Sequence, residues 1–315
     1  NDNGQNGLLY KRKTTFNILY DDSVDLGIIQ RVKAKVKYTD YEHDEFDLNF
    51  LETKYKRDST NARLEFFTET QGGISGILGF ELISSRNPVI ASAHEEEEHE
   101  EEEEHEEHAN LGPLPTTKNK SMGLFTYQYK KIDSRLFEFG ARIDDVEAKA
   151  NSIHEIEEFG NASTAGEVHA EAGLKKSFTP KSISFGVTQD IGQGFKFHSS
   201  TSYVERAPSF YELFSGGVHH TTNLYEQGNV NLKKESGEHY DLGLSFEESG
   251  FQLRANIFYS DYKNYITLVR SGTDTFYAEH DHHEEEHEEE GHEEEESEVE
   301  EIELYNFTGV DSEFK

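Results

Sequence analysis

The chain has 315 residues, a formal charge of −34 and neither cysteine nor tryptophan. It has no run of about 18 apolar residues, which excludes a membrane-spanning helix. It has no G-x-S-x-G and no cysteine nucleophile, and its H-E-E runs have no amphipathic helix to sit on, so no enzyme class is suggested.

In chain order, short and long connections take turns. Turns are predicted at Asp21 to Leu26, Gln71 to Gly73, Lys131 to Asp133, Ile191 to Gly194 and Glu247 to Gly250, with long connections at roughly 43–59, 86–116, 151–181, 207–235 and 267–302. Between them the chain alternates with period two. Phe137, Phe139, Ala141 and Ile143 interleave with Glu138, Gly140, Arg142 and Asp144. Ile183, Phe185 and Val187 do so next, then Tyr240, Leu242, Leu244 and Phe246. Last come Phe251, Leu253, Ala255, Ile257 and Tyr259, whose opposite face is polar except at Phe258. Each pattern predicts a strand with one dry face.

Strands such as 134–148 and 251–266 exceed the usual soluble length of about five or six residues and are long enough to cross a bilayer at a tilt. This argues against a soluble β-sandwich. The expected fold is all-β: an antiparallel transmembrane β-barrel with polar faces lining a lumen, apolar faces on outer-membrane lipid and the long connections extracellular. Phe125, Tyr127, Tyr129, Tyr203 and Tyr259 suit aromatic girdles. About eleven strands are counted, with a partial one from Glu303 onward. That is about half a large barrel, and half a barrel leaves an open edge. No basic start followed by an apolar stretch is seen, so part of a longer exported protein is expected.

The negative charge is concentrated. His94 to His108 holds eleven Glu, and Glu279 to Glu303 holds fifteen Glu and one Asp, without Lys or Arg in either. Together they supply 27 of the 34 excess negative charges, leaving an ordinary polypeptide between them. The tracts also carry nine histidines: His94, His99, His105 and His108 in the first, and His280, His282, His283, His287 and His292 in the second. Low-complexity acidic spacers are common, but solvation alone does not require imidazole. Imidazole with carboxylate suits zinc, copper and nickel, whereas calcium has no use for it. The irregular spacing implies many interchangeable sites rather than one cage. The charge gathers divalent cations, and salt weakens the attraction. No organic cofactor and no nucleic-acid partner are expected.

Residues 205–243 contain Glu205-Arg206-Ala207-Pro208, Glu212-Leu213, Gly217, Gly228-Asn229, Leu232, Glu235 and Gly243. This resembles the central barrel segment of TonB-dependent outer-membrane receptors. Within that family Gly217-Val218-His219-His220 with Glu226, Tyr38 to His43, and Pro115 to Lys118 look like the zinc-uptake branch. The resemblance implies a 22-stranded barrel around an N-terminal plug, energised by an inner-membrane complex through a short box near the start. The plug is expected outside this sequence. His219, His220 and Glu226 follow a strand end where a lumen mouth would lie, and form the sharper candidate site. His43 and His169 read as ordinary polar positions, His154 with Glu155 and Glu157 as a possible addition to loop capture, and His198 and His239 as without a role.

Three functions compete. Zinc import leads, the tracts concentrating the metal. Haem uptake is the nearest rival, because Arg206-Ala207-Pro208, His219 or His220 and Asn229-Val230-Asn231-Leu232 approach the haem-receptor pattern, with Val230 where proline is expected. Polyanionic loops would repel haem propionates. A passive surface metal-binding or adhesion module is third. Dense carboxylates favour the protonated imidazole, and metal must displace that proton. Peptides spanning 94–108 and 279–303 are therefore expected to bind zinc near pH 7.5 and to release it as the pH falls through about 6.5 and below. Calorimetric titration at both ends of that range checks this, and binding undiminished at about pH 5 would contradict imidazole ligation.

Overall fold

A computed structural model describes residues 8–47, 50–87, 89–91, 114–151, 154–155, 169–170, 174–219, 224–277 and 299–315. The chain begins with β1 (Leu8–Leu26), β2 (Ile29–Asp47), β3 (Phe50–Glu69), β4 (Ile74–Asn87), the short β5 (Val89–Ala91), β6 (Thr117–Ile132) and β7 (Arg135–Ala150). Three short strands follow: β8 (His154–Glu155), β9 (His169–Ala170) and β10 (Lys175–Phe178). Then come β11 (Lys181–Gly192), β12 (Phe195–Arg206), the one-turn helix α1 (Phe210–Phe214), β13 (Gly216–His219) and β14 (Leu224–Gln227). The chain closes with β15 (Glu235–Glu248), β16 (Phe251–Tyr277) and β17 (Val299–Phe314).

All but β8 and β9 join one sheet of 15 strands, ordered β1-β2-β3-β4-β6-β7-β11-β12-β15-β16-β17-β14-β13, with β5 beside β3 and β10 beside β7. Eleven long strands make the wall, each antiparallel to the next. This is the wall of an antiparallel β-barrel, as the alternation predicts.

The register fixes the two faces. Ile143 lies opposite Leu124 and Ile183 lies near Ala141's row on β7, so the apolar rows of neighbouring strands meet. Many of these side chains stand exposed: Ile18 at 71%, Ile257 at 68% and Leu124 at 56%. A band of exposed apolar side chains is what a lipid-facing surface requires. The opposite face is polar. There Arg142 bonds Asp144 at 2.6 Å and Glu81 at 3.0 Å, and Arg63 reaches Glu65 at 2.8 Å. Phe125 is on this polar face, opposite Arg142, with the Arg63 guanidinium 4.2 Å from its ring centroid. Tyr127 is there too, donating to Glu138, and Tyr129 lies opposite Glu138. These three aromatics therefore do not belong to a lipid girdle. Tyr203, opposite Ile183, and Tyr259, opposite Tyr240, are on the apolar face as expected.

Short turns lie at one end of the wall. One two-residue turn joins Glu248 to Phe251 through Ser249 (φ 49°) and Gly250 (φ 83°). Two left-handed residues in succession make a type I′ turn, whose twist matches that of the paired strands. The first turn is Gly27-Ile28, not Asp21 to Leu26. Asp21 is a strand residue whose two carboxylate oxygens each accept from Arg31 at 2.6 Å. At the other end β2 and β3 persist to Asp47 and from Phe50, where a connection over 43–59 is expected, and β16 runs on to Tyr277. The alternation fades there because neither face needs to be apolar once a strand leaves lipid, while the backbone ladder continues. Ion pairs such as Arg12–Glu42 at 2.9 Å and Lys54–Glu42 at 3.3 Å decorate this extension.

Gly79 sits where a Cβ would come within 2.1 Å of the Phe125 ring. Gly79→Val is expected to cost about 1–3 kcal/mol through overpacking. Gly72→Ala, with nothing nearer than 3.8 Å, should cost far less. Denaturant midpoints of the detergent-folded barrel, followed by circular dichroism, measure the difference.

Candidate functional site

The connection between β12 and β15 folds onto the polar face of the wall instead of projecting from it. Its anchor is Arg206, the last residue of β12. The guanidinium donates to both oxygens of Glu212, at 2.9 and 3.1 Å, and to Glu235 at 2.9 Å. One cation thus ties the end of β12 to α1 and to the start of β15. Both carboxylates have further duties. Glu212 accepts from the Ser209 backbone N–H at 2.6 Å while Ser209 Oγ accepts from the Glu212 N–H at 3.2 Å, a capping box that starts α1. Glu235 accepts from the Ile266 N–H of β16 at 3.0 Å.

Apolar packing completes the attachment. Leu213 and Phe214 are 1% exposed and pack with Ala148 and Ala150 of β7, Leu232 and Ile266. Small residues on β7 leave the room that α1 occupies. Gly228 passes so close to the helix end that a Cβ would lie 2.7 Å from the Phe214 and Ser215 nitrogens. Its own N–H donates to Ser215 O at 2.7 Å, and the Asn229 N–H to Glu212 O at 2.9 Å. The Asn229 side chain donates to Phe307 O of β17 at 3.2 Å. The Arg206, Glu212-Leu213, Gly228-Asn229, Leu232 and Glu235 positions read from the sequence thus make the contacts that hold this segment in place.

The segment carries the hairpin β13–β14. β14 lies parallel to β17, with Glu226 at the level of Tyr305. Gly217 is opposite Glu226 and His219 opposite Leu224, which sets position 219 diagonal to position 226 on one face of the hairpin. The Glu226 carboxylate accepts from the Tyr211 hydroxyl of α1, and the Tyr211 ring packs edge-on against Phe307 at 5.7 Å. Tyr225 points the other way, is 5% exposed, and burial pushes its phenol up. Tyr211, which positions Glu226, carries no mark in the sequence beyond its place one residue before the capping glutamate.

Of the expected site residues, Glu226 is held on α1 and His219 lies in β13, while His220 falls outside the described residues. His94, His99, His105, His108, His280, His282, His283, His287 and His292 also lie outside them. Among the described residues no group of three or more His, Asp and Glu is gathered for a metal ion. Three other histidines have structural partners. His198 hydrogen-bonds with Thr188 at 3.1 Å, His239 with Ser260 at 2.9 Å, and His43 stacks on Tyr55 at 4.5 Å. His154 and His169 lie in the β8–β9 pair, His169 opposite Glu155.

Arg206→Ala is expected to leave Glu212 and Glu235 half-buried without their cation and to free the segment from the wall. Gly228→Val should do the same by steric means. Hydrogen exchange across 207–234 is expected to quicken in both, with exchange in β3 and β4 unchanged.

A family model described as TonB dependent receptor-like, beta-barrel matches residues 1–280. Among solved structures, the chain is similar to a double mutant of the Serratia marcescens hemophore receptor HasR in complex with its hemophore HasA and heme. The TM-score is 0.61 at 13% identity, over 98% of this chain and 45% of that one. The copper transporter OprC gives a TM-score of 0.65 at 14% identity, over 97% and 43%. The siderophore receptor PirA from Pseudomonas aeruginosa gives 0.52 at 13%, over 96% and 52%. At such identities the likeness speaks for the fold alone. The chain spans about half the length of these structures.

Proposed function

The chain belongs to the family of TonB-dependent receptor β-barrels, and from that premise we propose that it supplies part of the wall of an outer-membrane receptor that imports a divalent metal, zinc above all. One observation carries this reading. Nine histidines are embedded in two polyacidic tracts, and the strand order puts both tract-bearing connections, β5 to β6 and β16 to β17, at the same end of the wall as the infolded β12–β15 segment.

The division of labour follows from the chemistry. The tracts are extracellular antennae that raise the local concentration of divalent cations. Metal then passes to His219, His220 and Glu226 at the lumen mouth. The Tyr211 hydrogen bond orients the Glu226 carboxylate and leaves lone pairs for a cation. Two imidazoles with one carboxylate make a ligand set suited to zinc. The metal is cargo, so this site should bind it only moderately. Passage past a plug, energised through an inner-membrane complex that engages the receptor's N-terminal region, completes the import cycle. The partners are thus the metal ion, outer-membrane lipid and the energising complex. The copper, haem and siderophore ligands in the similar structures belong to those proteins.

Haem is the second reading. Asn229 and Leu232 of its sequence pattern also have structural duties: Asn229 Oδ1 accepts from the Asn231 N–H at 2.9 Å, and Leu232 is 8% exposed. A Soret shift on adding haem, lost when His219 and His220 are changed, would favour it over zinc.

Replacing all nine tract histidines with glutamine is expected to lower radioactive zinc uptake severalfold when zinc is scarce and to leave it near normal when zinc is plentiful. Replacing His219, His220 and Glu226 together should lower it under both conditions. Unchanged growth of both variants under chelation would count against zinc import. Titration of the folded receptor with zinc, copper, nickel and calcium ranks the metals.

A further inference from the structure

A second polar site lies on the opposite, apolar-banded face of the wall. Register aligns the rows of β3, β4 and β6 there. Leu64, Phe80 and Leu124 form one row, and Ala62, Leu82 and Met122 the next toward the long connections. Thr60, Ser84 and Lys120 follow, then Asp58, Arg86 and Lys118. On β7, Lys149 stands opposite Lys118. Within two rows, about 13 Å of strand at ~3.3 Å per residue, the surface changes from apolar to hydroxyl-bearing to cationic.

Arg86, Lys118 and Lys149 are thereby neighbours across three adjacent strands and all are exposed. Like charges side by side on a sheet destabilise each other unless an anion joins them. Among the described residues no ion pair is made by Arg86 or Lys118, and the nearby Asp58 accepts from the Tyr38 hydroxyl at 3.2 Å. Three further carboxylates share this face: Asp40 opposite Asp58, Asp145 opposite Met122, and Glu147 opposite Lys120, which Lys175 engages at 2.5 Å. A cavity of ≈ 210 Å³ opens among these rows, lined by Tyr38, Asp58, Ser84, Arg86, Lys118 and Lys120 among others, three cations to one carboxylate in that set.

The rest of this boundary differs. On β12, β15 and β16 this face carries Glu205, Glu238 and Asp261, two of them accepting from a tyrosine hydroxyl at 3.0 Å. The cations beside them are engaged, Lys234 with Glu205 at 2.5 Å and Lys263 with Asp261 at 3.8 Å. The cationic row runs across β4, β6 and β7, and beyond the hydroxyl-bearing row Leu82, Met122 and Leu124 are 38%, 51% and 56% exposed.

We propose that Arg86, Lys118, Lys120 and Lys149 form a docking site for the phosphate of a membrane-lipid headgroup whose acyl chains lie along Leu82, Met122 and Leu124. The phosphate supplies charge-assisted acceptors for several cations at once, and the exposed apolar rows hold the chains. This rests on the membrane placement proposed above.

The test is native mass spectrometry of the full-length receptor in neutral detergent, offered short-chain phosphatidic acid, diacylglycerol with the same chains, or inorganic phosphate. The wild type is expected to retain phosphatidic acid and not diacylglycerol. Arg86→Gln with Lys118→Gln and Lys149→Gln should lower retention about tenfold, worth roughly 1.4 kcal/mol. Lys130→Gln, on the same face at the other end of β6, should change nothing. The charge-preserving pair Arg86→Lys and Lys118→Arg should keep the adduct, which separates lost charge from lost folding. Equal adducts in the triple variant, equal retention of diacylglycerol, or displacement by equimolar inorganic phosphate would each overturn the site. A wild type extracted from liposomes by alkaline carbonate would overturn the membrane placement itself, whereas stable insertion without the adduct would overturn only the site.

Discussion

In hydrocarbon a backbone N–H or C=O without a partner costs several kcal/mol, and no water is there to supply one. That constraint governs this molecule. It makes the strands long, since pairing must continue through the full thickness of the bilayer. It makes neighbours antiparallel, since a turn of two residues such as Ser249-Gly250 returns the chain at once into pairing distance. It also releases the side chains from stabilising the sheet by burial. One face can stay apolar for lipid, and the other can carry Arg63, Glu81, Arg142 and Asp144 in a line of ion pairs.

Where lipid ends, the constraint relaxes and side chains take over. Arg206 marks this change. A backbone ladder holds everything on one side of it, and on the other a guanidinium shared by Glu212 and Glu235 holds the β12–β15 segment. Desolvating such a charge is costly, and breaking one partner of a half-buried pair costs more than the pair contributes. The clamp therefore acts as a fixed orientation more than as a source of stability. It aims α1 at the small residues Ala148 and Ala150, and through Tyr211 it sets where the Glu226 carboxylate lies.

The wall was legible in the sequence because lipid imposes a period-two alternation with little interference. Phe137 to Ile143 and Phe251 to Tyr259 declare their faces directly. Legibility failed where that pressure stops. The 43–59 stretch carries charged residues on both sides and reads as a connection, although β2 and β3 are paired there to Asp47 and from Phe50. Phe125 and Tyr127 read as lipid contacts, because an aromatic packed between arginines on an inner wall has the same one-letter signature as one in a girdle. The infolded segment was legible as a motif but not as a mechanism: Arg206, Glu212 and Glu235 are visible in the sequence, whereas their convergence depends on a helix of five residues placed by tertiary contacts. The tract histidines are visible as composition alone, and composition carries no geometry.

The parallel pairing of β14 with β17 also sets an order of events. Glu226 meets Tyr305 across a span of chain that contains all of β15, β16 and the second acidic tract. Contacts so distant along the chain pay their loop-closure entropy before they are rewarded. The hairpin carrying His219 and Glu226 cannot seat until β17 has been laid down, whereas each wall strand can pair as soon as its neighbour exists. The infolded hairpin is thus the last piece to be assembled, and a barrel caught partway through its construction would have a wall without yet having its lining.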